Sequence, residues 1–347
     1  MQYKNILVKR SLPKNYSKKD RNLFSGEFNR YLISENDIII ENVSLFSDGF
    51  PYKNFNFNLN FYLPKEYSSF FIIKKILIYI YYFSRIALNF LKKKEIINEE
   101  SYLICDWHSK GYFHWLVDVL QKIEYLKRNR CKNFKIIIPY NIRNDWVSDS
   151  LKVYNFKFIK LKKNKVYLLK KVTLIMPKST SGNPRPDLVN GIRNRFRFFY
   201  NKFKKKTKEK YKVYVSRDLS NKRKLEKENF FVEFLRKNKF KISYSELKSF
   251  KSQVFFYLSC KELIGVHGAG LANMLWMKSG SKIVELRNKD DRNNNCFFSL
   301  ASALHIKYYY VLCDYDKNYL IYNHNNNNNL FLNKNSLKNL IDIDVLK

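Results

Sequence analysis

The spacing of apolar and polar positions changes several times along the chain. Over residues 1–66 short apolar runs, such as 38–43 and 55–63, alternate with polar residues and are separated by Asn, Asp, Gly and Pro. That pattern predicts several β-strands. Residues 70–91, FFIIKKILIYIYYFSRIALNFL, are apolar but interrupted by Lys74, Lys75 and Arg85 and followed by Lys92, Lys93 and Lys94. No apolar run here approaches the ~18–20 residues of a bilayer span. The stretch predicts either a buried helix or an interfacial one whose cations sit among anionic headgroups. A strand at 102–106 follows. Phe113, Leu116, Val117, Leu120, Ile123 and Leu126 then recur at helical spacing between Tyr112 and Arg128. Residues 134–139 predict a strand, 143–154 a helix and 165–176 further strands. The run from Lys178 to Asp187, rich in Ser, Pro, Gly and Asn, predicts a loop, and 188–206 a basic connecting helix.

Beyond residue 206 the period alternates regularly. Strands at 211–215, 240–243, 262–266, 282–286 and 306–312 are interleaved with helices at 225–237, 250–259 and 297–304, which predicts βαβ units and a parallel sheet. The low-complexity run HNNNNN at 324–329 predicts a loop, and 330–332 and 336–341 a last strand and helix. Within this series, residues 262–285 read strand, glycine turn, helix, strand. His267 closes the strand, Gly268-Ala269-Gly270 turn the chain, and Leu271, Met274 and Leu275 open the helix.

Composition narrows the class. The chain has 347 residues, 45% hydrophobic and 17% aromatic, enough for two cores and incompatible with a disordered chain. Its five cysteines are scattered, with no C-x-x-C, which suits a reducing compartment and argues against a disulfide framework or a zinc site. The first fifteen residues lack an apolar core of signal-peptide length, so a cytoplasmic protein is expected, or one peripheral on the inner face of the cell membrane. The net charge of +36 invites a nucleic-acid reading. However, 50 of the basic residues are Lys and only 16 Arg, and the excess of Lys travels with Asn, Ile, Tyr and Phe, as an AT-rich genome produces. No nucleic-acid-binding motif is present. Part of the charge is then drift on a solvated surface, and the rest suits an anionic partner, a nucleoside diphosphate or an anionic membrane surface.

Three groups of residues carry candidate chemistry. A glycine turn that opens a helix at the carboxyl end of a parallel strand leaves backbone N–H groups for a phosphate, or merely permits a tight turn around a satisfied core histidine. Arg217 stands just past the strand at 211–215, with Arg223 after it. Strand-end arginines there aim at the same crevice and clamp a diphosphate, unless they form an ordinary basic loop. His114 and Asp118, four apart, share one helix face. The carboxylate would hold the imidazole in one tautomer and raise its basicity, or the pair is a plain surface hydrogen bond.

Together these segments resemble glycosyltransferase family 61. The likeness rests on Phe113-His114-Trp115-Leu116 with Asp118, on Ser216-Arg217, on Arg223 and Glu228, on Ser249-Phe250 with Gln253, and on Gly265, His267, Gly268, Ala269, Gly270, Leu271, Asn273 and Met274 followed by Glu285. It spans about residues 100–290. Gln121 replaces an expected proline, Lys227 an asparagine and Cys260 an alanine. The resemblance implies an α/β fold of GT-B-like type, two Rossmann-like domains facing a cleft behind a β-rich N-terminal segment. The domains would be an acceptor-side domain at 1–206 and a nucleotide-sugar domain at 207–347. It implies an inverting, metal-independent transfer from a nucleotide-sugar, UDP-sugars first, to a glycan or lipid-linked glycan in bacterial surface polysaccharide synthesis, with no cofactor. Arg217, Arg223, His267, Gly268, Ala269, Gly270 and Asn273 would hold the donor diphosphate and Glu285 its ribose. His114, tuned by Asp118, would be the catalytic base, with Asp118 itself as the second candidate. The rival enzyme reading is a metal-dependent GT-A transferase using the D-x-D at Asp314 and Asp316, or the second match at Asp342 and Asp344. Outside enzymes, the rivals are a basic nucleic-acid-binding protein and a membrane-surface scaffold.

Overall fold

The computed structural model describes residues 5–54, 56, 69–89, 93–129, 134–142, 145–203, 210–315 and 328–343. Packing divides the chain into two units, Ser34–Ser181 with the extreme N-terminus, and Asn5–Ile33 with Gly182–Lys347. The antiparallel hairpin of β1 (Asn5–Lys9) and β2 (Asn29–Ile33) is therefore part of the second unit.

The first unit is built on a seven-stranded mixed sheet. Its strands are β3 (Ile38–Phe46), β4 (Pro51–Tyr52), β5 (Glu95–Ile97), β6 (Ser101–Leu103), β7 (Lys135–Ile138), β8 (Phe158–Lys160) and β9 (Val166–Leu174), in the order β4-β3-β9-β6-β7-β8 with β5 also on β9. β3 runs antiparallel to β9, from Ile38 opposite Leu174 to Phe46 opposite Val166, while β6, β7 and β8 continue in parallel. Val43, Leu45, Leu103, Ile137, Leu169, Val172 and Leu174 form its core. The helix α1 (Ser69–Asn89) lies on the β4 side, and no helix among the described residues is long and apolar enough to cross a membrane. The strand expected at 55–63 lies almost wholly outside the described residues.

The helix expected between Tyr112 and Arg128 is present, as Tyr112–His114 and Leu120–Arg128 joined by a π-helical segment, Trp115–Val119; together these are α2. The widened turn carries Asp118, and such segments recur at functional sites. The Gln121 side chain donates to the Val117 carbonyl at 2.6 Å, a bond that the expected proline could not make. Trp115, wholly buried, donates through Nε1 to Ser150 Oγ of α3 (Asp145–Tyr154) at 2.9 Å and fixes the rotation of α2 about its axis.

The second unit holds the βαβ series. The helix α4 (Pro186–Asn201) belongs to it, because Arg193 donates to the Leu304 carbonyl at 2.7 Å and Phe196 stacks on Trp276. Strands β10 (Tyr211–Val215), β11 (Phe240–Ser243), β12 (Cys260–Val266), β13 (Lys282–Asn288), β14 (Lys307–Tyr315) and β15 (Leu330–Phe331) pair in the order β11-β10-β12-β13-β14-β15. All neighbours are parallel except β14 and β15. β12 and β13 are buried almost throughout, as central parallel strands with both faces covered must be. α5 (Glu228–Lys237), α6 (Phe250–Leu258), α7 (Cys296–Ala303) and α8 (Lys334–Asp342) complete the layers.

The helix after the glycine turn differs from expectation. Ala269–Trp276 is a 3-10 helix, with Leu271 N donating to Gly268 O and Met277 N to Met274 O. The Asn273 side-chain amide donates to the Gly270 carbonyl at 3.1 Å, the acceptor an α-helix would give to residue 274.

Candidate active site

In the second unit, the carboxyl ends of β10, β12 and β13 carry the glycine turn, Arg217 and Glu285. Ser216-Arg217 leave β10 under the hold of Glu228, the first residue of α5. This buried carboxylate accepts from Tyr214 Oη at 2.6 Å, from Ser216 Oγ at 2.9 Å and from the Arg217 amide at 3.4 Å. Glu228 thus braces the strand end and makes no pair with Arg223. Arg217 donates through Nε to the Arg223 carbonyl at 3.2 Å and through Nη2 to Ser220 Oγ at 2.7 Å and the Lys222 carbonyl at 2.9 Å. Its remaining edge lies on the glycine turn. A Cβ added to Gly268 would sit 2.0 Å from Arg217 Nη1, so glycine is required there by close approach and not by its extended backbone. Gly270 is required for a different reason, since its Cβ would stand 2.6 Å from Val215 Cγ1.

The electrostatics of this corner would suit an anion. Burial, with Arg223 nearby, pushes the Arg217 guanidinium down to about 10. Burial also lowers Arg223, partly offset by Cys296, Asp291 and Glu285. Arg223 Nε is buried without a hydrogen-bond partner. The N–H groups of Gly268, Ala269 and Gly270 find no acceptor among the described residues. Acidic groups act on both guanidinium groups only from a distance and form no ion pair with either among the described residues, while three amides lack an acceptor, and a diphosphate has the charge and acceptors to fit them.

Behind the turn, His267 is buried and shares a short hydrogen bond through Nδ1 with Glu285, its ring edge-on to Phe297. Glu285 is completely buried. Its second oxygen accepts from Tyr308 Oη at 2.5 Å; burial pushes its pKa up, but His267, Arg287 and the Tyr308 hydrogen bond outweigh that and hold it below the ordinary carboxylate value. With no carboxylate edge in solvent, the ribose contact expected of Glu285 does not fit, and the residue orients His267 instead. Asn273 is likewise fully buried, its amide on Gly270 O and Gln253 Oε1 and its carbonyl accepting from Trp276. It braces the turn, and the diphosphate contact expected of it does not fit that burial.

In the first unit, His114 Nδ1 lies 2.8 Å from Asp118 Oδ2 across one turn of α2. Asp118 also accepts from Ser181 Oγ at 2.7 Å. With Nδ1 facing a carboxylate, the neutral ring carries its proton there and its lone pair on Nε2. Nε2 has no protein partner among the described residues, and a third of the side chain is exposed. Burial works against protonation of His114, but the Asp118 hydrogen bond and the charges of Asp118 and Asp106 outweigh it and hold the pKa above the ordinary histidine value. The ring of His108 stacks on His114 with centroids 4.9 Å apart.

A family model, Glycosyltransferase 61, matches residues 112–284, about half of the chain, from the first residue of α2 into β13. The chain belongs to glycosyltransferase family 61. It is therefore a glycosyltransferase, with a sugar donor and a glycan acceptor as its general substrates. A comparison with curated proteins returned no match.

The matched span of this transferase takes in His114, Asp118, Arg217, Arg223 and the glycine turn, and stops one residue short of Glu285. Sequence reasoning missed what surrounds them. Arg287, fully buried, donates to Asn295 Oδ1 at 2.9 Å and the Asp291 carbonyl at 2.6 Å, and its guanidinium carbon lies 5.3 Å from the Phe24 ring centre. Phe24 packs edge-on to Phe298, Tyr308 and Tyr310, while Asn295 donates to the Leu23 carbonyl at 2.9 Å. Leu23 and Phe24, in a segment read as strands without chemistry, thus pack against the shell that holds Glu285 and His267. Of the D-x-D alternative, Asp314 bonds Lys289 at 2.6 Å and Asn333 at 2.5 Å, Asp316 and Asp344 lie outside the described residues, and Asp342 falls at the end of α8. Among the described residues no group of three or more His, Cys, Asp and Glu is placed to hold a metal ion.

Proposed function

We propose that this glycosyltransferase is an inverting, metal-independent enzyme of GT-B type. In this reading it takes a sugar from a nucleoside diphosphate-sugar, a UDP-sugar first, to a hydroxyl of a bacterial surface glycan. The observation that carries the reading is the contact of the Arg217 guanidinium with Gly268, beside three amides without acceptors and the orphaned Nε of Arg223. In the transfer, the acceptor oxygen forms a bond to the anomeric carbon while the bond from that carbon to the β-phosphate oxygen breaks. The acceptor proton passes to His114 Nε2, and the leaving nucleoside diphosphate keeps the electron pair as negative charge. Fixed donors aimed at developing charge are the largest catalytic lever available to an enzyme, and Arg217, Arg223 and the turn amides are the groups assigned to it. Asp118 keeps the base in the required tautomer and stabilises the imidazolium that forms. His267, held by Glu285 and Tyr308, fixes the backbone that presents the amides.

A thermal-shift panel of UDP-, GDP-, CMP- and dTDP-sugars, each with and without EDTA, tests this. One nucleotide class should raise the melting temperature equally in both conditions. Absence of a shift with all four would remove the donor assignment, and a shift abolished by EDTA would favour the D-x-D reading.

A further inference from the structure

Helix α1 is attached to the first unit by one stripe. Tyr82 is buried and stacks flat on Phe50, Ile86 is buried, and Arg85 bonds Asp48 at 2.5 Å while its guanidinium covers the Phe46 ring at 4.1 Å. At 100° per residue, Ile76, Ile80, Leu77, Leu88 and Tyr81 fall on one continuous arc of about 140° on the other side. These five side chains are between 53% and 77% exposed. From Ile76 to Leu88 the apolar strip runs about 18 Å along the helix, more than the scattered exposed apolar residues of an ordinary surface.

The charge around that strip selects its occupant. From residue 67 to 94 the sequence holds six basic residues and no acidic one, and among the described side chains of that stretch Arg85 alone makes an ion pair, to Asp48. A second copy of this chain docked on the same face would bring these cations against one another. An anionic lipid surface takes both parts, the apolar arc below the headgroups and the cations among them. Because Arg85 and Tyr82 both hold Asp48, the helix is tethered with its apolar arc directed away from the sheet. We infer that α1 is a membrane-surface anchor, lying flat on an anionic bilayer through Ile76, Leu77, Ile80, Tyr81 and Leu88. This goes beyond the transfer reaction and does not depend on its residues.

The test is co-sedimentation of the full chain with phosphatidylcholine vesicles containing about one third phosphatidylglycerol, compared with phosphatidylcholine alone. The probe variant combines Ile76→Ser, Leu77→Ser and Ile80→Ser, all exposed, so its melting temperature should equal that of the wild type. Wild type should partition to the anionic vesicles, weakly to the neutral ones, and the variant should lose ~tenfold or more of that partition. Equal partition by wild type and variant would overturn the anchor, leaving only diffuse lysine attraction. So would wild type that stays off vesicles, whether it remains a monomer or forms a dimer that the variant breaks.

Discussion

At the scale of single residues, His114 and Gly268 make the sharpest commitments. The pKa of His114 is raised, so its pair with Asp118 contributes stability that is fully present below the ordinary histidine value and is lost as pH rises through the raised one. A general base must be neutral, and transfer should therefore rise across that same upper window. Asp118→Asn removes the largest raising influence, so its acid limb should move to lower pH, with a lower plateau, in a kcat-against-pH series. A limb that stays in place would detach Asp118 from the base. His114→Ala should lower kcat by ~10²–10⁴-fold. Gly268→Ala tests the anion corner without altering any charge. Its backbone is extended and accepts alanine, but the new methyl displaces the Arg217 guanidinium. Donor affinity should fall ~tenfold or more while the melting temperature barely moves, because a flexible side-chain end can give way. Unchanged affinity would mean that Arg217 is not at the phosphates.

At the scale of elements, the neighbouring glycine behaves oppositely. Gly270→Ala drives its methyl into Val215 of β10, a packed strand that cannot yield, and should cost ~1–3 kcal/mol of stability. Lys227, at the entry to α5, has φ +53°, the left-handed region that asparagine adopts at lower cost than lysine. Lys227→Asn, the residue expected from the family pattern, should stabilise the chain by ~0.5–1 kcal/mol in denaturant unfolding. These elements also mark what could be read from sequence. The α2 periodicity placed His114 and Asp118 on one face, and the alternation past residue 206 gave every strand of the parallel sheet. Ser181 was invisible as the third member of the His114 group because it comes from a loop 63 residues after Asp118. The His267–Glu285–Tyr308 chain was hidden too, since it depends on the lateral order of β12, β13 and β14. The sequence shows a carboxylate at a strand end, but not whether that carboxylate faces a ligand or a histidine.

At the scale of the whole molecule, the N-terminal hairpin segment departs most from the linear reading. Short strands with polar alternation look alike wherever they pack, and nothing local distinguishes β1 and β2 from the strands of the first unit. Their place follows from aromatic contacts of Phe24 and from the buried Arg10–Glu27 pair, whose arginine also reaches Asn183 at 2.9 Å. Phe24→Ala should lower stability by ~3–5 kcal/mol although it lies far in sequence from every family motif. The net charge of +36 acts at this scale as well, attracting any anion without choosing among them. On the proposed reading, choice is left to the Arg217 corner. Calorimetric titration of UDP into wild type, Arg217→Ala and His114→Ala, in EDTA, is the most direct test of that claim. Arg217→Ala should bind at least ~tenfold more weakly, with His114→Ala binding as wild type does while failing to transfer. Equal UDP affinity in wild type and Arg217→Ala would contradict the account.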